Sequence, residues 1–443
     1  MNTRTTFAAA LLALGSLAAP AQTLNTAKLD SLLDGLASHD RLMGSLALSH
    51  DGQVVYSHAF GAAQVAPKVP ATAATRYRIG SITKVFTGVL VFQLIEEKKL
   101  ALDTKLATFF PQVPNAKDIT IGQLLSHRSG IHNFTNDPAY VGYMTQPKTP
   151  AELLAIIAQP KPDFEPGAKY EYSNSNFVLL TYIVEKLTKM PYAQALQKRI
   201  FAKAGLKNTS YGGKIDPKKQ EAFSYETSGA GWQLSPETDM SIPAGAGALV
   251  STPTDLDRFL EALFGGKLVS ASSLAAMQDI RDGYGRAMMQ VPFGSKKGYG
   301  HTGGIDAFRS AAFYFPGDKL AVALCSNGGS FSPNEVLIGA LSIYFGRPYT
   351  IPNFAASAYV PTPADLDRYA GTYASPAIPL KIAVTKDGAT LRAQATGQGA
   401  FALEPVSAGV FKFDQAGIKM TFDAAKPTFL LQQGGKEYSF TKE

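Results

Sequence analysis

Hydrophobic positions recur along this chain with two periods, and their order predicts a sheet built from both ends of a helical middle. A 3.6-residue pattern over about Ala27–Ser38 predicts a helix. It leads into two alternating runs, Ser45–Ser49 and Gln53–His58, joined by Asp51-Gly52, a strong short-turn signal. After a proline-containing loop and Arg76–Gly80, the segment Ser81–Leu100 carries apolar residues on nearly every helical face, among them Ile82, Val85, Phe86, Val89, Leu90, Phe92 and Ile95. Such a helix belongs at the centre of a core. Thr120-Ile121-Gly122-Gln123, Thr149-Pro150-Ala151-Glu152 and Thr252-Pro253-Thr254-Asp255 each place a capping hydroxyl three residues before an acid or amide, and two add Pro at the first helical position. Gly130 and Gly265-Gly266 read as the matching stops. A further helix is expected from about Asn176 to Met190. From Tyr299 the pattern returns to strands, Ala307–Phe315 and Leu320–Ser326, around Pro316-Gly317-Asp318. The late hairpin can pair with the early one in a single antiparallel sheet, which gives an α/β fold of the α+β type.

Pro348, Pro352, Pro361 and Pro363 mark a stiff, extended connector. Beyond Leu366 the period drops to two (Leu380, Ile382, Val384; Ile418, Met420, Phe422), with turns at Asp387-Gly388, Ala416-Gly417 and Gly434-Gly435, as in a small β-barrel or sandwich. At the other end, Arg4, the apolar run Phe7–Ala19 and Ala19-Pro20-Ala21 before Gln22 read as a secretory signal. Gly15-Ser16 and Pro20 interrupt a run already shorter than the roughly 20 apolar residues a spanning helix needs. The expected division is therefore a signal over 1–21, a main domain over 22–347, a proline-rich linker over 348–365 and a β domain over 366–443. The mature protein is expected to be periplasmic or extracellular, with no stable membrane anchor.

Composition narrows the function classes. With 45% hydrophobic and 17% charged residues the 443-residue chain can bury a core, which excludes wholesale disorder. The 40 Gly and 27 Pro follow no collagen period and read as turn chemistry. A net charge of +7 comes from interleaved bases and acids, as in Glu96-Glu97-Lys98-Lys99, so no basic stripe for nucleic acid is expected. Cys325 is the single cysteine; it can form no intramolecular disulfide and lies in a strand-like run, Leu320–Cys325, as a small core residue.

The sharpest candidate chemistry is Ser81-Ile82-Thr83-Lys84 at the entry to the apolar helix. Residues three apart on a helix share a face, so the Lys84 amine can reach the Ser81 hydroxyl. The helix N-terminus favours an alkoxide and a developing oxyanion, and burial would lower the lysine pKa enough for it to accept a proton. The plainer reading of Ser81 is a helix cap. Other candidates are Tyr170-Glu171-Tyr172-Ser173-Asn174, whose plainer reading is a turn before a helix, and Gly300-His301-Thr302-Gly303-Gly304 at the start of a strand.

Taken together, Ser81-x-x-Lys84, Tyr172-x-Asn174 and His301-Thr302-Gly303 resemble the three motifs of the serine β-lactamase and penicillin-binding-protein superfamily. The tyrosine version resembles the class C β-lactamase and D-Ala-D-Ala carboxypeptidase branch with its esterase and aminopeptidase relatives. Leu124-Leu125-Ser126-His127-Arg128-Ser129-Gly130 and the Gly-rich Ala244–Leu249 are similar to further segments of that branch. The resemblance covers roughly residues 30–345. It implies an antiparallel sheet flanked by helices plus an all-helical region, and an acyl-enzyme on Ser81 with Lys84 and Tyr172 sharing proton transfer. It further implies that a lysine ammonium lowers the Tyr172 pKa, that Asn174 binds the acyl-side amide, and that the Ser81 and Gly304 N–H groups form the oxyanion hole. No metal or organic cofactor is implied, and the partner is a small-molecule or peptide substrate: an amide, a D-amino-acid peptide or an ester.

His301 departs from the lysine of many β-lactamases. A mostly neutral histidine anchors a substrate carboxylate less firmly, which weighs against strong β-lactam hydrolysis. Arg309 is a candidate replacement cation, beside the simpler reading of an exposed strand arginine. The alternatives are a true class C-like β-lactamase and a non-catalytic penicillin-binding or ligand-binding receptor. No Gly-x-Ser-x-Gly elbow or His-Glu-x-x-His is present, and the spacing of His127, His132 and Asp137 matches no zinc pattern. The β domain resembles lipocalin-like modules and is expected either to border the cleft or to stand as a separate stabilising module.

Overall fold

A computed structural model describes residues 24–228, 231–354, 359–388, 390–396, 399–413, 416–423 and 425–443. The signal expected over 1–21 lies outside the described residues. Helix α1 (Thr26–Ser38), capped by Asn25, precedes strands β1 (Leu42–His50) and β2 (Gln53–Phe60). The late strands are β3 (Met289–Phe293), β4 (Lys296–Ile305), β5 (Phe308–Phe315) and β6 (Leu320–Gly329). They assemble in the order β3-β4-β5-β6-β1-β2. The early and late hairpins do meet: β1 runs antiparallel to β6 with Leu46 opposite Leu324 and Leu48 opposite Val322. A second, short hairpin, Tyr225–Ser228 with Gly231–Leu234, joins through Tyr225 opposite Gly328.

Both faces of this sheet are covered, which is why β1 and β6 read as continuous apolar runs rather than strict alternation. Leu320, Val322 and Leu324 pack with Leu29, Leu32 and Leu36 of α1 and with Val336 and Ala340 of the helix Pro333–Tyr344. The alternate, smaller residues Ala323 and Cys325 join the larger core on the other face. That core is organised by α2 (Thr83–Glu96), whose residues from Thr83 to Leu94 are all buried, and by α3 (Asn174–Thr188) and α4 (Pro253–Phe264). Phe86 of α2 stacks on Phe259 of α4 with ring centroids 3.6 Å apart.

The three threonine caps sit where their spacing places them, at Thr120, Thr149 and Thr252, the first two as full capping boxes. Gly265 caps α4, but Gly130 does not end a helix: the helix after Thr120 stops at Leu125. Gly130 has φ +76° and lets two loops touch, since a Cβ there would lie 1.9 Å from the Phe164 carbonyl oxygen.

The C-terminal strands close into a barrel of eight, from Gly371–Ala374 to Lys436–Lys442, and the alternating positions Ile382, Val384, Met420 and Phe422 fill its interior. Ahead of the first strand stands the short helix Pro363–Tyr369, whose Leu366 and Tyr369 are buried in the barrel core. Its capping box, Thr362 with Asp365, has the same hydroxyl, proline and acid pattern as the earlier helix starts. Arg41, just before β1, pairs with Glu404 of the barrel at 2.8 Å.

Candidate active site

Ser81 lies in a single 3-10 turn, Gly80–Ile82, that runs into α2. It is not a cap: α2 has no side-chain capping bond, and the Ser81 Oγ instead lies 2.9 Å from Lys84 Nζ and 2.8 Å from the Tyr172 hydroxyl. Spacing along the helix puts Lys84 beneath Ser81, and packing seals it, with no part of its side chain exposed. Nζ also lies 2.7 Å from Asn174 Oδ1 and 2.7 Å from the Ala246 carbonyl oxygen. Burial holds the amine well below the ordinary lysine range. A neutral amine has two N–H groups and one lone pair. The two carbonyl-type oxygens can only accept, so in the neutral form of the amine they take both N–H groups and the lone pair is left for the Ser81 hydroxyl proton.

Tyr172 enters from the extended segment before α3, and Asn174 is the first residue of that helix. The Asn174 N–H donates to Asn133 Oδ1 at 2.9 Å, and its Nδ2 donates to Thr135 Oγ1 at 3.0 Å. Burial pushes the Tyr172 hydroxyl well above its usual range. This corrects the expectation of a lowered tyrosine pKa: loss of hydration on burial outweighs the hydrogen bond with Ser81, and Tyr172 stands as a donor to Ser81 Oγ. His127 packs under the Tyr172 ring, centroid to centroid 4.2 Å, while its Nδ1 accepts the Ser173 N–H at 3.1 Å.

On β4, Gly303 and Gly304 press against the serine turn. A Cβ on Gly303 would lie 2.0 Å from the Ile79 carbonyl oxygen, and one on Gly80, whose φ is +50°, would lie 2.7 Å from Gly304 N. Only glycines allow this backbone-to-backbone approach, which brings Gly304 beside Ser81. His301 is buried behind Tyr172, with its Nε2 3.1 Å from the Tyr284 hydroxyl. Burial lowers its pKa to about 3, so it is neutral.

Ser81, Asn174 and Gly304 open into a cavity of about 510 Å³, which Thr135, Glu226 and Arg309 also line and His301 does not. No barrel residue lines it among those described. The structure thus draws Ser81, Lys84, Tyr172, Asn174 and Gly304 together and sets His301 one layer back. The sequence offered no mark for Thr135, Asn133 or Tyr284, and marked the Gly-rich run around Ala246 without a role for its carbonyl; each acts through a contact with a distant segment.

His127 and His132 occupy different surroundings and share no site. His132 lies between Asp163 (2.8 Å from Nδ1) and Asp137 (3.1 Å from Nε2). Its carbonyl accepts the Ser175 hydroxyl at 2.6 Å, so it ties the loop bearing Asn133 and Thr135 to the start of α3. Burial alone would lower the His132 pKa, but the bonds from Asp163 and Asp137 outweigh it and the net shift is upward. A raised folded-state pKa means that this contribution is complete below the unfolded histidine value of about 6.5 and is lost as pH rises through the folded value. His132→Gln is expected to lose about 1 kcal/mol at pH 6, the pair being partly screened by solvent, and almost nothing at pH 9. Urea melts at the two pH values check this, and an equal loss at both would contradict it.

Comparison with known proteins agrees with this geometry. Residues 29–341 match the family described as Beta-lactamase. Penicillin-binding protein 4* of Bacillus subtilis (strain 168) is 26% identical over 452 residues, covering 92% of this chain and 97% of the relative. The crystal structure of D-amino acid amidase from Ochrobactrum anthropi SV3, in complex with L-phenylalanine amide, superposes with a TM-score of 0.63 at 28% identity, covering 72% of this chain and 98% of that one. The octameric penicillin-binding protein homologue from Pyrococcus abyssi shares the fold over 94% of this chain and 100% of its own, with a TM-score of 0.68 at 24% identity. The family match spans both ends of the sheet and every residue of the serine cluster, and the chain belongs to the β-lactamase and penicillin-binding-protein superfamily of serine hydrolases.

Proposed function

We propose that this protein is an exported serine hydrolase that forms an acyl-enzyme on Ser81 and cleaves a small amide, a D-amino-acid peptide or an ester. The observation that carries the reading is the Ser81 hydroxyl held between a buried amine and a protonated phenol. Ser81 Oγ attacks the acyl carbon as its proton passes to the lone pair of Lys84 Nζ. The main-chain N–H groups of Ser81 and Gly304 take the developing oxyanion, and Asn174 holds the acyl-side amide. The bond to the leaving group breaks as Tyr172 gives it a proton, and the Lys84 ammonium then restores the phenol. Water attacks the acyl-enzyme by the reverse route, with Lys84 and Tyr172 again passing the proton. A neutral, buried His301 contributes to substrate binding by shaping the strand edge rather than by charge.

The D-amino acid amidase and penicillin-binding-protein relatives support the substrate class. The same reading keeps the signal over 1–21, the catalytic domain over 22–347, the linker over 348–365 and the β domain over 366–443. Intact-mass analysis after exposure to a fluorophosphonate, and separately to a penicillin, tests it. A fluorophosphonate adduct is expected on the wild type and none on Ser81→Ala, together with turnover on a panel of ester, D-amino-acid amide and D-Ala-D-Ala substrates. No adduct from either reagent and no turnover would make the protein a binding receptor. A penicillin adduct that forms and is quickly released would make it a β-lactamase.

A further inference from the structure

Three unfavourable features meet in one residue behind the reacting groups, His127. Its backbone is left-handed, with φ +55°, a conformation that side-chain sterics disfavour. It is fully buried and does not line the cavity over Ser81. Its Nδ1 faces two donors, the Ser173 N–H at 3.1 Å and Asn176 Nδ2 at 3.4 Å, and the Asn176 amide is turned that way because its Oδ1 accepts the Ser129 hydroxyl at 2.7 Å. A backbone N–H can only donate, so Nδ1 accepts and the ring is the neutral tautomer with its proton on Nε2. Burial, which holds the ring well below the usual histidine range, agrees with that state. The Nε2–H has no hydrogen-bond partner. Around the imidazole stand the rings of Tyr172, Tyr284 and Phe177, with centroids 4.2, 4.8 and 5.2 Å away.

A phenylalanine would fill the same place without burying an unpaired N–H. What it lacks is an acceptor for the Ser173 N–H, and Ser173 is the residue between Tyr172 and Asn174. Asn174 has holds of its own, through Asn133 and Thr135. Tyr172 comes from an extended segment and is steadied by the imidazole beneath its ring and by the bond one residue along the chain. We propose that His127 is a positioning residue for proton donation to the leaving group: by accepting the Ser173 N–H it holds the Tyr172 hydroxyl at the Ser81 oxygen, without itself reaching the substrate. This role rests on the acyl-transfer reading above, in which Tyr172 protonates the leaving group.

Two esters of one acyl group, the p-nitrophenyl and ethyl esters of N-acetyl-D-alanine, test it. Their acyl side is common, so a change at Asn174 or at the oxyanion position cancels in the ratio of their kcat/KM values. As the C–O bond breaks, its electron pair goes to the leaving oxygen; p-nitrophenolate departs as a stable anion, whereas ethoxide must take the Tyr172 proton. His127→Phe keeps a ring and removes the acceptor, so kcat/KM for the ethyl ester is expected to fall about a hundredfold, the lower range for a positioned general acid, while that for the p-nitrophenyl ester stays within about fivefold. His127→Asn carries Oδ1 at the same distance along the side chain as Nδ1 and tolerates a left-handed backbone, and should keep the ratio within about fivefold of the wild type. Fluorophosphonate labelling of Ser81, from which fluoride leaves unaided, shows that each variant has folded. Equal changes on the two esters in a labelled His127→Phe would mark a merely structural role and overturn the proposal. A ratio in His127→Asn as far from the wild type as that in His127→Phe would overturn it too, because the bond to Ser173 would then not be what positions Tyr172. If His127→Phe does not label, His127→Asn decides on the same fivefold criterion. A wild type that labels at Ser81 but turns over no ethyl ester above background receives no proton from Tyr172, and the positioning role alone fails. If neither labelling nor turnover is seen, the acyl-transfer reading fails with it.

Discussion

Lys84→Met is expected to lower kcat/KM by at least about a thousandfold, the scale of losing a positioned general base together with its partner groups. The Ser81 hydroxyl would remain, but nothing within reach could take its proton. Tyr172 cannot substitute, because burial raises its pKa and leaves it protonated. Lys84→Arg should not rescue, since a guanidinium has no lone pair to offer and does not lose its proton in proteins. Activity of the wild type should fall as pH drops through the lowered pKa of Lys84, as the amine becomes charged.

The same substitution changes the stability profile. An unfolded lysine titrates near 10.4, whereas the folded one is held well below that, so between the two values the unfolded chain binds the extra proton and stability rises with pH. The penalty for burying this lysine is largest and constant below the folded value, where the amine is charged in both states, and disappears above the unfolded one. Between pH 7 and 9, below the range where buried tyrosines would add an opposing term, wild type minus Lys84→Met should gain stability with rising pH, by up to about 1.4 kcal/mol per unit. The His132 contribution is common to both proteins and cancels in the difference. Turnover within tenfold of wild type, or a flat difference in urea melts, would rule out a neutral buried lysine.

Arg78→Met is expected to cost about 3–5 kcal/mol, as removing one partner of a buried ion pair does. Arg78 is 2% exposed and bonds four groups: Asp306 at 2.7 Å, Glu237 at 3.2 Å and the carbonyl oxygens of Thr238 and Gly213 at 3.0 and 2.9 Å. Without it the Asp306 carboxylate, wholly shielded from solvent, has no cation. The end of β4 and the segment around Thr238, both walls of the cavity, would loosen together, so Ser81 should also label more slowly with fluorophosphonate. A double variant, Arg78→Met with Asp306→Leu, should be less destabilised than the single one because no buried charge is left behind. Urea unfolding with an unchanged m-value measures both, and a single-variant loss under about 1 kcal/mol would show that solvent reaches the pair.

The pairing of β1 with β6, the buried course of α2 and the three threonine caps follow from local rules of period and spacing, and each was legible in the order of residues. So was the reach of Lys84 to Ser81, because three residues along a helix always return to the same face. Gly130 misled because glycine marks both helix ends and close loop crossings, and only the Phe164 carbonyl 1.9 Å from its virtual Cβ tells them apart. The helix at Pro363 carried the same capping pattern as its predecessors but began inside the proline-rich stretch that reads as an extended connector.

Sequence alone therefore determined the sheet built from both ends, the family motifs and the serine, lysine, tyrosine and asparagine that meet at the floor of the site. Tertiary structure decided the protonation states and the walls. Burial displaces both groups, Lys84 downward and Tyr172 upward, and that burial is made by segments far apart in the chain. The placement of His301 behind the site, of Thr135 beside Asn174, and of Glu226 and Arg309 on the cavity wall arises in the same way. Periodicity and capping act over one or two turns of backbone. Desolvation and cavity shape are set by everything that packs around a group, so they exist only once the chain has folded.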